Sequence, residues 1–129
     1  VLLQVTSPLR KISDINSSIN LFESGRFSLV MTVTEQEKTI LKSGFIENNV
    51  FRAISDPSFC FQNRQFLPSV YKPNGAVYVF NADSFLSIGK FDVAAIGALV
   101  MTKEASKDID SLEDFLYCED YLMRTKNEN

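Results

Sequence analysis

At 129 residues the chain is of single-domain size, long enough to bury roughly two thirds of its unfolded surface. Its composition, 45% hydrophobic and 22% charged, excludes a disordered chain, and a net charge of −3 gives no general attraction to nucleic acid or an anionic membrane. Histidine is absent, which removes His-based triads, His-bound zinc and histidine general bases, so acid–base or metal chemistry must rest on carboxylates, Lys, Arg, Tyr or the substrate itself.

In chain order, VLLQV (1–5) is short, continuous and apolar, as a buried parallel strand would be. Pro8 stops it as a central strand within the turn TSPLR. Ile12, Ile15, Ile19 and Phe22 then recur at three- and four-residue steps and predict an amphipathic helix, with Ser13 as N-cap and Gly25 as stop. FSLVMTVT (27–34) is rich in β-branched residues and predicts a strand, closing a βαβ unit. Residues of about 35–73 are less periodic, with a hairpin expected over Thr39–Ile46 around Gly44, and are read as an excursion from the sheet toward a partner subunit. NGAVYVF (74–80) predicts a strand, NADSFLSIG a short helix ended by Gly89, and GALVMT (97–102) another core strand. Ser111 with Asp114 three residues on forms a capping-box variant opening the last helix, whose buried stripe is expected to be Leu112, Phe115, Leu116 and Leu122. The alternation predicts an α/β layered fold with a mostly parallel sheet, in one domain over residues 1–129.

The two cysteines, Cys60 and Cys118, stand in no metal-ligand spacing and read as free thiols in a reducing compartment. No apolar run approaches the ~20 residues that span a bilayer. VLLQVTSPLR has no basic region or cleavage site of a signal peptide, so no membrane association and a cytoplasmic location are expected.

Four clusters could carry chemistry. Gln4, Thr6 and Ser7 sit at the carboxyl end of the first predicted strand, the edge where open α/β sheets bind ligands, although a turn with a helix cap reads equally well. Arg64 with Gln65 is either an exposed loop pair or a fork for a carboxylate or phosphate. Asn74-Gly75 is either a tight turn or a place where Gly75 lets a ligand approach the backbone while Asn74 offers an amide. In SKDIDSLEDF (106–115), Asp108 and Asp110 either decorate a helix start or hold a cation. If 106–110 is extended, the two carboxylates share a face roughly 6–7 Å apart at the backbone. No GxGxxG or GxxxxGK[ST] phosphate loop occurs in the chain.

Taken in order, LLQVTSPLR (2–10), DINSSINLF (14–22), SLVMTVTE (28–35), RQFLPSVYKPNGAVYVF (64–80) and SKDIDSLEDF (106–115) resemble the acylneuraminate cytidylyltransferase family, the CMP-sialic acid synthetases with their legionaminic- and pseudaminic-acid relatives. The resemblance implies a Rossmann-like nucleotide-diphospho-sugar transferase fold and a homodimer whose middle segment reaches the other subunit. It implies an enzyme that joins a nonulosonic acid to CTP, giving the CMP-sugar and pyrophosphate, with Mg²⁺ as cofactor. By the same carry-over, Gln4 and Thr6 contact the acidic sugar, Arg64 and Gln65 hold its carboxylate, and Asn74 lies at the sugar–nucleotide junction. Asp108 and Asp110 bind Mg²⁺ and orient the attacking hydroxyl. Val5 departs from the family's usual proline (LLQPTSPLR). The family's first strand and its Gly-, Arg-, Ser- and Lys-rich CTP loop have no counterpart here, so the chain resembles the carboxyl-terminal part of such an enzyme. Two expectations follow: these residues alone are inactive, or they are a non-catalytic remnant that dimerises or binds the sugar.

Overall fold

The computed structural model describes residues 1–127. Helix α1 spans Ile12–Glu23, α2 Ala82–Ile88 and α3 Leu112–Asn127; strands are β1 Leu29–Gln36, β2 Gly44–Glu47, β3 Val50–Ala53, β4 Val70–Phe80 and β5 Ile96–Met101. The chain divides into two compact units, Val1–Thr34 with Lys72–Asn129, and Glu35–Tyr71.

In the first unit the sheet has the order β4–β1–β5, and β1 runs parallel to β5 with Leu29 opposite Ile96 and Thr34 opposite Met101. Parallel neighbours need a crossover, and the intervening chain between β1 and β5 supplies it. The architecture is thus mixed α/β. Val30, Ala76, Val77, Val79, Met101 and Ala105 form the core, and Ile15, Ile19, Leu21, Phe22 and Phe27 pack on it. Complete burial of Val30 and Val77 contributes about 1.5–3 kcal/mol each. Ile12, by contrast, points outward from the first turn. α1 opens at Lys11 rather than Ser13, because the Asp14 carboxylate accepts from the Lys11 backbone N–H (2.8 Å). Gly25 follows its end at φ 72°, as expected of a stop. Beyond β4, Phe80, Phe85 and Phe91 form a ring cluster with centroids 5.0–5.3 Å apart, and Gly89 ends α2 in the left-handed conformation.

Three further sequence expectations are corrected. VLLQV is not a buried parallel strand: Leu2 alone makes a bridge, antiparallel, to Tyr78, and Val5 is 89% exposed. The segment meets only one neighbour, and by Gln4 its carbonyl is already taken up in the following turn. The hairpin lies later than Thr39–Ile46. Residues Lys38–Lys42 are a 3₁₀ helix, and β2 and β3 pair antiparallel around Asn48-Asn49, both at positive φ (51° and 64°) as a two-residue primed turn requires. The stripe assigned to α3 faces outward: Leu112 is 74% exposed and Phe115, Leu116 and Leu122 are exposed as well. The inward line is Asp114, Cys118, Tyr121 and Thr125, at helical spacing, with Cys118 buried. The Ser111 half of the expected capping box forms, its Oγ accepting from the Asp114 N–H (3.2 Å), while Asp114 Oδ2 accepts from the Ser111 hydroxyl and the Asp110 N–H.

In the second unit, Pro57–Phe61 and Arg64–Phe66 are further 3₁₀ turns. Phe45, Ile46, Val50 and Phe51 on the hairpin are all exposed, Ile46 by 79%. Cys60 and Cys118 are both free thiols. No described helix is long and apolar enough to cross a membrane.

Candidate functional site

A recess of about 330 Å³ in the first unit is lined by Gln4, Thr34, Lys72, Asn74, Gly75, Ser106, Asp108 and Asp110, with Pro73 and Tyr78 at its wall. Four chain segments meet there: the turn after Leu3, the end of β1, the start of β4, and the irregular stretch after β5. Of the residues singled out in the sequence, Gln4, Asn74, Asp108 and Asp110 are thereby brought together.

Each arrives by a local device. Arg10 spans the first turn, its Nη1 donating to the carbonyls of Gln4 (2.6 Å) and Ser7 (2.8 Å), which fixes the backbone that carries Gln4. Gln4 then lies against Gly75. A Cβ on Gly75 would come within 1.9 Å of Gln4 Oε1, and Gly75 sits at φ +76°. The close approach that Gly75 permits is therefore that of Gln4's carboxamide.

Asn74 is buried and fully engaged. Its Oδ1 accepts from Thr32 Oγ1 (2.6 Å) and the Ala76 N–H (3.1 Å), and its Nδ2 donates to Ser106 Oγ (2.8 Å). Thr32 Oγ1 in turn accepts from the Val77 N–H (3.0 Å). This chain of bonds ties β1 and β4 to the stretch that carries the aspartates.

Residues 107–110 belong to neither helix nor strand. The Ile109 N–H donates to Thr6 O (2.8 Å), while Asp108 and Asp110 on either side of it line the recess. Thr6 thus supports the site through its backbone and is not among the lining residues. Asp110 is exposed; Asp108 is half-buried, and its Oδ1 is buried with no hydrogen-bond partner among the described residues. Thr34 Oγ1, lining the same recess, is likewise buried and unpartnered. A buried carboxylate oxygen without a donor is costly unless a cation or donor meets it. Among the described residues no three His, Cys, Asp or Glu gather into an all-protein metal cage. Mg²⁺ makes a looser demand, one or two carboxylates with phosphate oxygens and water completing its shell. Asp108 and Asp110 fit that demand.

Arg64 and Gln65 lie in the second unit and line a separate recess of about 500 Å³ with Lys38 and Asn63. Arg64 Nη2 meets Glu37 Oε2 at 2.7 Å there, and both side chains are more than half exposed. Lys72, Thr34 and Ser106 have no role in the sequence reading: Thr34 lies far along the chain from the other lining residues, and Lys72 and Ser106 are ordinary neighbours of Asn74 and Asp108. Lys72 did carry one signal, its place beside Pro73-Asn74-Gly75. It is the sole cation among the lining residues.

No protein-family model matches the chain. Curated relatives do. The chain is 32% identical over 139 residues to the N-acylneuraminate cytidylyltransferase of Streptococcus agalactiae serotype V, covering 98% of this chain and 32% of that protein. It is 30% identical over 115 residues to the enzyme of the same name from Escherichia coli O18:K1:H7, covering 88% of this chain and 27% of the relative. It is 26% identical over 126 residues to the post-translational flagellin modification protein B of Campylobacter coli, covering 97% of this chain and 52% of that protein. The chain spans about a third of the length of the streptococcal relative. These matches run over nearly all of the chain's residues and make it similar, along its length, to one part of the N-acylneuraminate cytidylyltransferases.

Proposed function

We propose that the recess of the first unit is the sugar- and metal-facing part of a CTP-dependent nucleotidyltransferase that converts a nonulosonic acid to its CMP-sugar with release of pyrophosphate. The observation that carries this reading is the convergence of Gln4, Asn74, Asp108 and Asp110 on one recess that also holds the unpartnered Asp108 Oδ1. The sugar's anomeric hydroxyl attacks the α-phosphorus in line as the bond to the β-phosphate oxygen breaks. Gln4, fixed by Arg10 and seated on Gly75, presents an amide to sugar hydroxyls. Asn74 acts through Ser106, holding the aspartate stretch against β4. Asp108 and Asp110 would hold Mg²⁺, and Asp110, the more exposed, accepts a hydrogen bond from the attacking hydroxyl and orients it. The cation, when bound, offsets charge on the phosphates. Lys72 balances one of the two carboxylates and favours an anionic ligand. In the second unit, Lys38, Arg64 and Gln65 offer cationic and amide donors suited to a carboxylate, with Arg64 exchanging Glu37 for it.

Self-association through the second unit belongs to the same proposal, supported by the exposed apolar side chains of the hairpin, Ile46 and Phe51 as a cross-strand pair on one side and Phe45 and Val50 on the other.

The test is pyrophosphate release from CTP, Mg²⁺ and a panel of nonulosonic acids. It is run on the 129 residues alone and joined behind the preceding residues of the streptococcal relative. Activity is expected in the joined form, falling about 10²-fold in Asp110→Asn. No pyrophosphate from the joined form, or none of its activity lost in Asp110→Asn, overturns the reading. The lack of a Gly-rich phosphate loop within the chain favours a second reading, a non-catalytic module that binds the sugar or dimerises. Calorimetry separates the two, since tight CTP binding by the 129 residues excludes the module.

A further inference from the structure

We infer that Asp114, the N3 residue of α3, is the positioning residue that holds the Asp108–Asp110 stretch in its metal-binding shape. This rests on the metal role proposed for that pair. Three donors from the stretch converge on one carboxylate. Lys107 Nζ is ion-paired with Asp114 Oδ1, while Oδ2 accepts from Ser111 Oγ (2.7 Å) and from the Asp110 backbone N–H (3.2 Å).

A helix cap alone would need only the bonds between Ser111 and Asp114. The other two reach outward, to residues on both sides of Asp108. With Ser106 bonded to Asn74 and the Ile109 N–H bonded to Thr6 O, the stretch is fastened at Ser106, Lys107, Ile109, Asp110 and Ser111. Asp108, between them, makes no such bond through Oδ1. The same clamp explains why α3 turns its Asp114–Cys118–Tyr121 line inward and leaves Leu112 and Leu116 outside. Lys107 also lies 5.7 Å from the Tyr117 ring centroid, one helical turn along α3, so its ammonium is held from two sides. Residues that orient metal ligands without touching the metal commonly cost about 10–100-fold in metal affinity when replaced.

The experiment is a titration of the 129-residue chain with MnCl₂, read by paramagnetic broadening of backbone amide resonances in ¹⁵N spectra. In the wild type, the amides of residues 106–111 are expected to broaden first, and Asp110→Asn to abolish the effect. Asp114→Asn is expected to raise the Mn²⁺ concentration needed by about tenfold. Lys107→Met supplies the decisive sign. Removing a nearby positive charge should tighten cation binding if only charge mattered, whereas loss of the clamp weakens it several-fold. Because Lys107→Met leaves the Ser111–Asp114 cap intact, it reads the clamp without opening the helix. Tighter or unchanged Mn²⁺ binding in Lys107→Met overturns the inference while leaving the metal role standing. No broadening at 106–111 in the wild type overturns the metal role itself, and this inference with it.

Discussion

The recess of the first unit and the hairpin of the second treat apolar surface in opposite ways. Around the recess, Val30, Ala76 and Val77 are fully buried and each polar group that enters is bonded to another strand or loop, apart from the few atoms that face the cavity. The hairpin carries four large apolar side chains, Phe45, Ile46, Val50 and Phe51, all exposed. A two-stranded hairpin is marginally stable by itself in water. One region fastens the stretch that carries two carboxylates, and the other leaves apolar side chains in the open. Under the proposed function the metal-facing stretch and the apolar hairpin lie in different segments and can be altered separately.

The largest separation is expected from two glycines at nearly the same backbone angle. Gly75→Ala meets both a left-handed φ and the Gln4 carboxamide, while Gly25→Ala, at φ +72°, meets nothing within 4 Å. Each should lose about 1 kcal/mol for the strained backbone. Only Gly75→Ala should also lose sugar affinity, by about tenfold or more, as a polar contact is displaced. Calorimetric titration with a nonulosonic acid, beside thermal melts, distinguishes them. Equal sugar affinity in both variants would contradict the seating of Gln4 on Gly75.

Next in size, Val77→Ala should destabilise the first unit by about 2 kcal/mol by opening a cavity. Phe51→Ser, on the exposed hairpin face, should leave monomer stability within about 0.5 kcal/mol while lowering self-association. Urea melts and sedimentation velocity report the two effects. A large stability loss in Phe51→Ser would mean the hairpin face is packed within its own unit.

Thr32→Val is expected to cost about 1–2 kcal/mol, because Asn74 Oδ1 loses a donor and the Val77 N–H loses an acceptor in a buried setting. Its sharper consequence is at a distance: with Asn74 loosened, Ser106 and the aspartates should exchange amide protons faster. Unchanged exchange at 106–110 would show that the Thr32–Asn74–Ser106 chain carries nothing to that stretch.

The smallest expected effect is in pH. The Lys107 ammonium, then the Ser111 hydroxyl, hold the Asp114 carboxyl down to about 2 from an ordinary 3.8. A carboxyl lowered by folding contributes stability that is complete above the unfolded value and is lost as pH falls through the folded one. The wild type's advantage over Asp114→Asn should therefore be full at pH 5 and shrink between about pH 4 and pH 2, read from urea midpoints. A constant difference across that range would remove the ion pair from the account.

Local signals in the chain were legible where the governing contacts are local. Ser111 and Asp114 are three residues apart and cap α3 as read, Gly89 ends α2, and β1, β4 and β5 fall where β-branched runs predict strands. The errors have long-range causes. Hydrophobicity alone puts Leu112, Phe115, Leu116 and Leu122 inside, but the line that faces inward joins Asp114, paired with Lys107, to the buried Cys118. The hairpin lies later than Gly44 suggests, because the left-handed residues its turn needs are Asn48 and Asn49. VLLQV read as interior because its composition is apolar, yet only Leu2 finds a strand to pair with. At the site, Gln4, Asn74, Asp108 and Asp110 were readable through the ordered motifs. Thr34 was not, since it joins the site only through the fold, and Lys72 and Ser106 carry no distinctive signal beside Asn74 and Asp108. For Asn74 the sequence suggests a group facing the ligand, while its observed bonds tie it to Thr32, Ala76 and Ser106.

The central claim is that the recess holds an acidic sugar and a divalent cation side by side. Its most direct measurement is the longitudinal relaxation of a nonulosonic acid labelled with ¹³C at the anomeric carbon, in the presence of Mn²⁺ and the 129-residue chain. The account predicts relaxation well above that of sugar and Mn²⁺ alone, returning to that baseline in Asp108→Asn and in Gln4→Ala. Relaxation indifferent to the wild-type protein would contradict it.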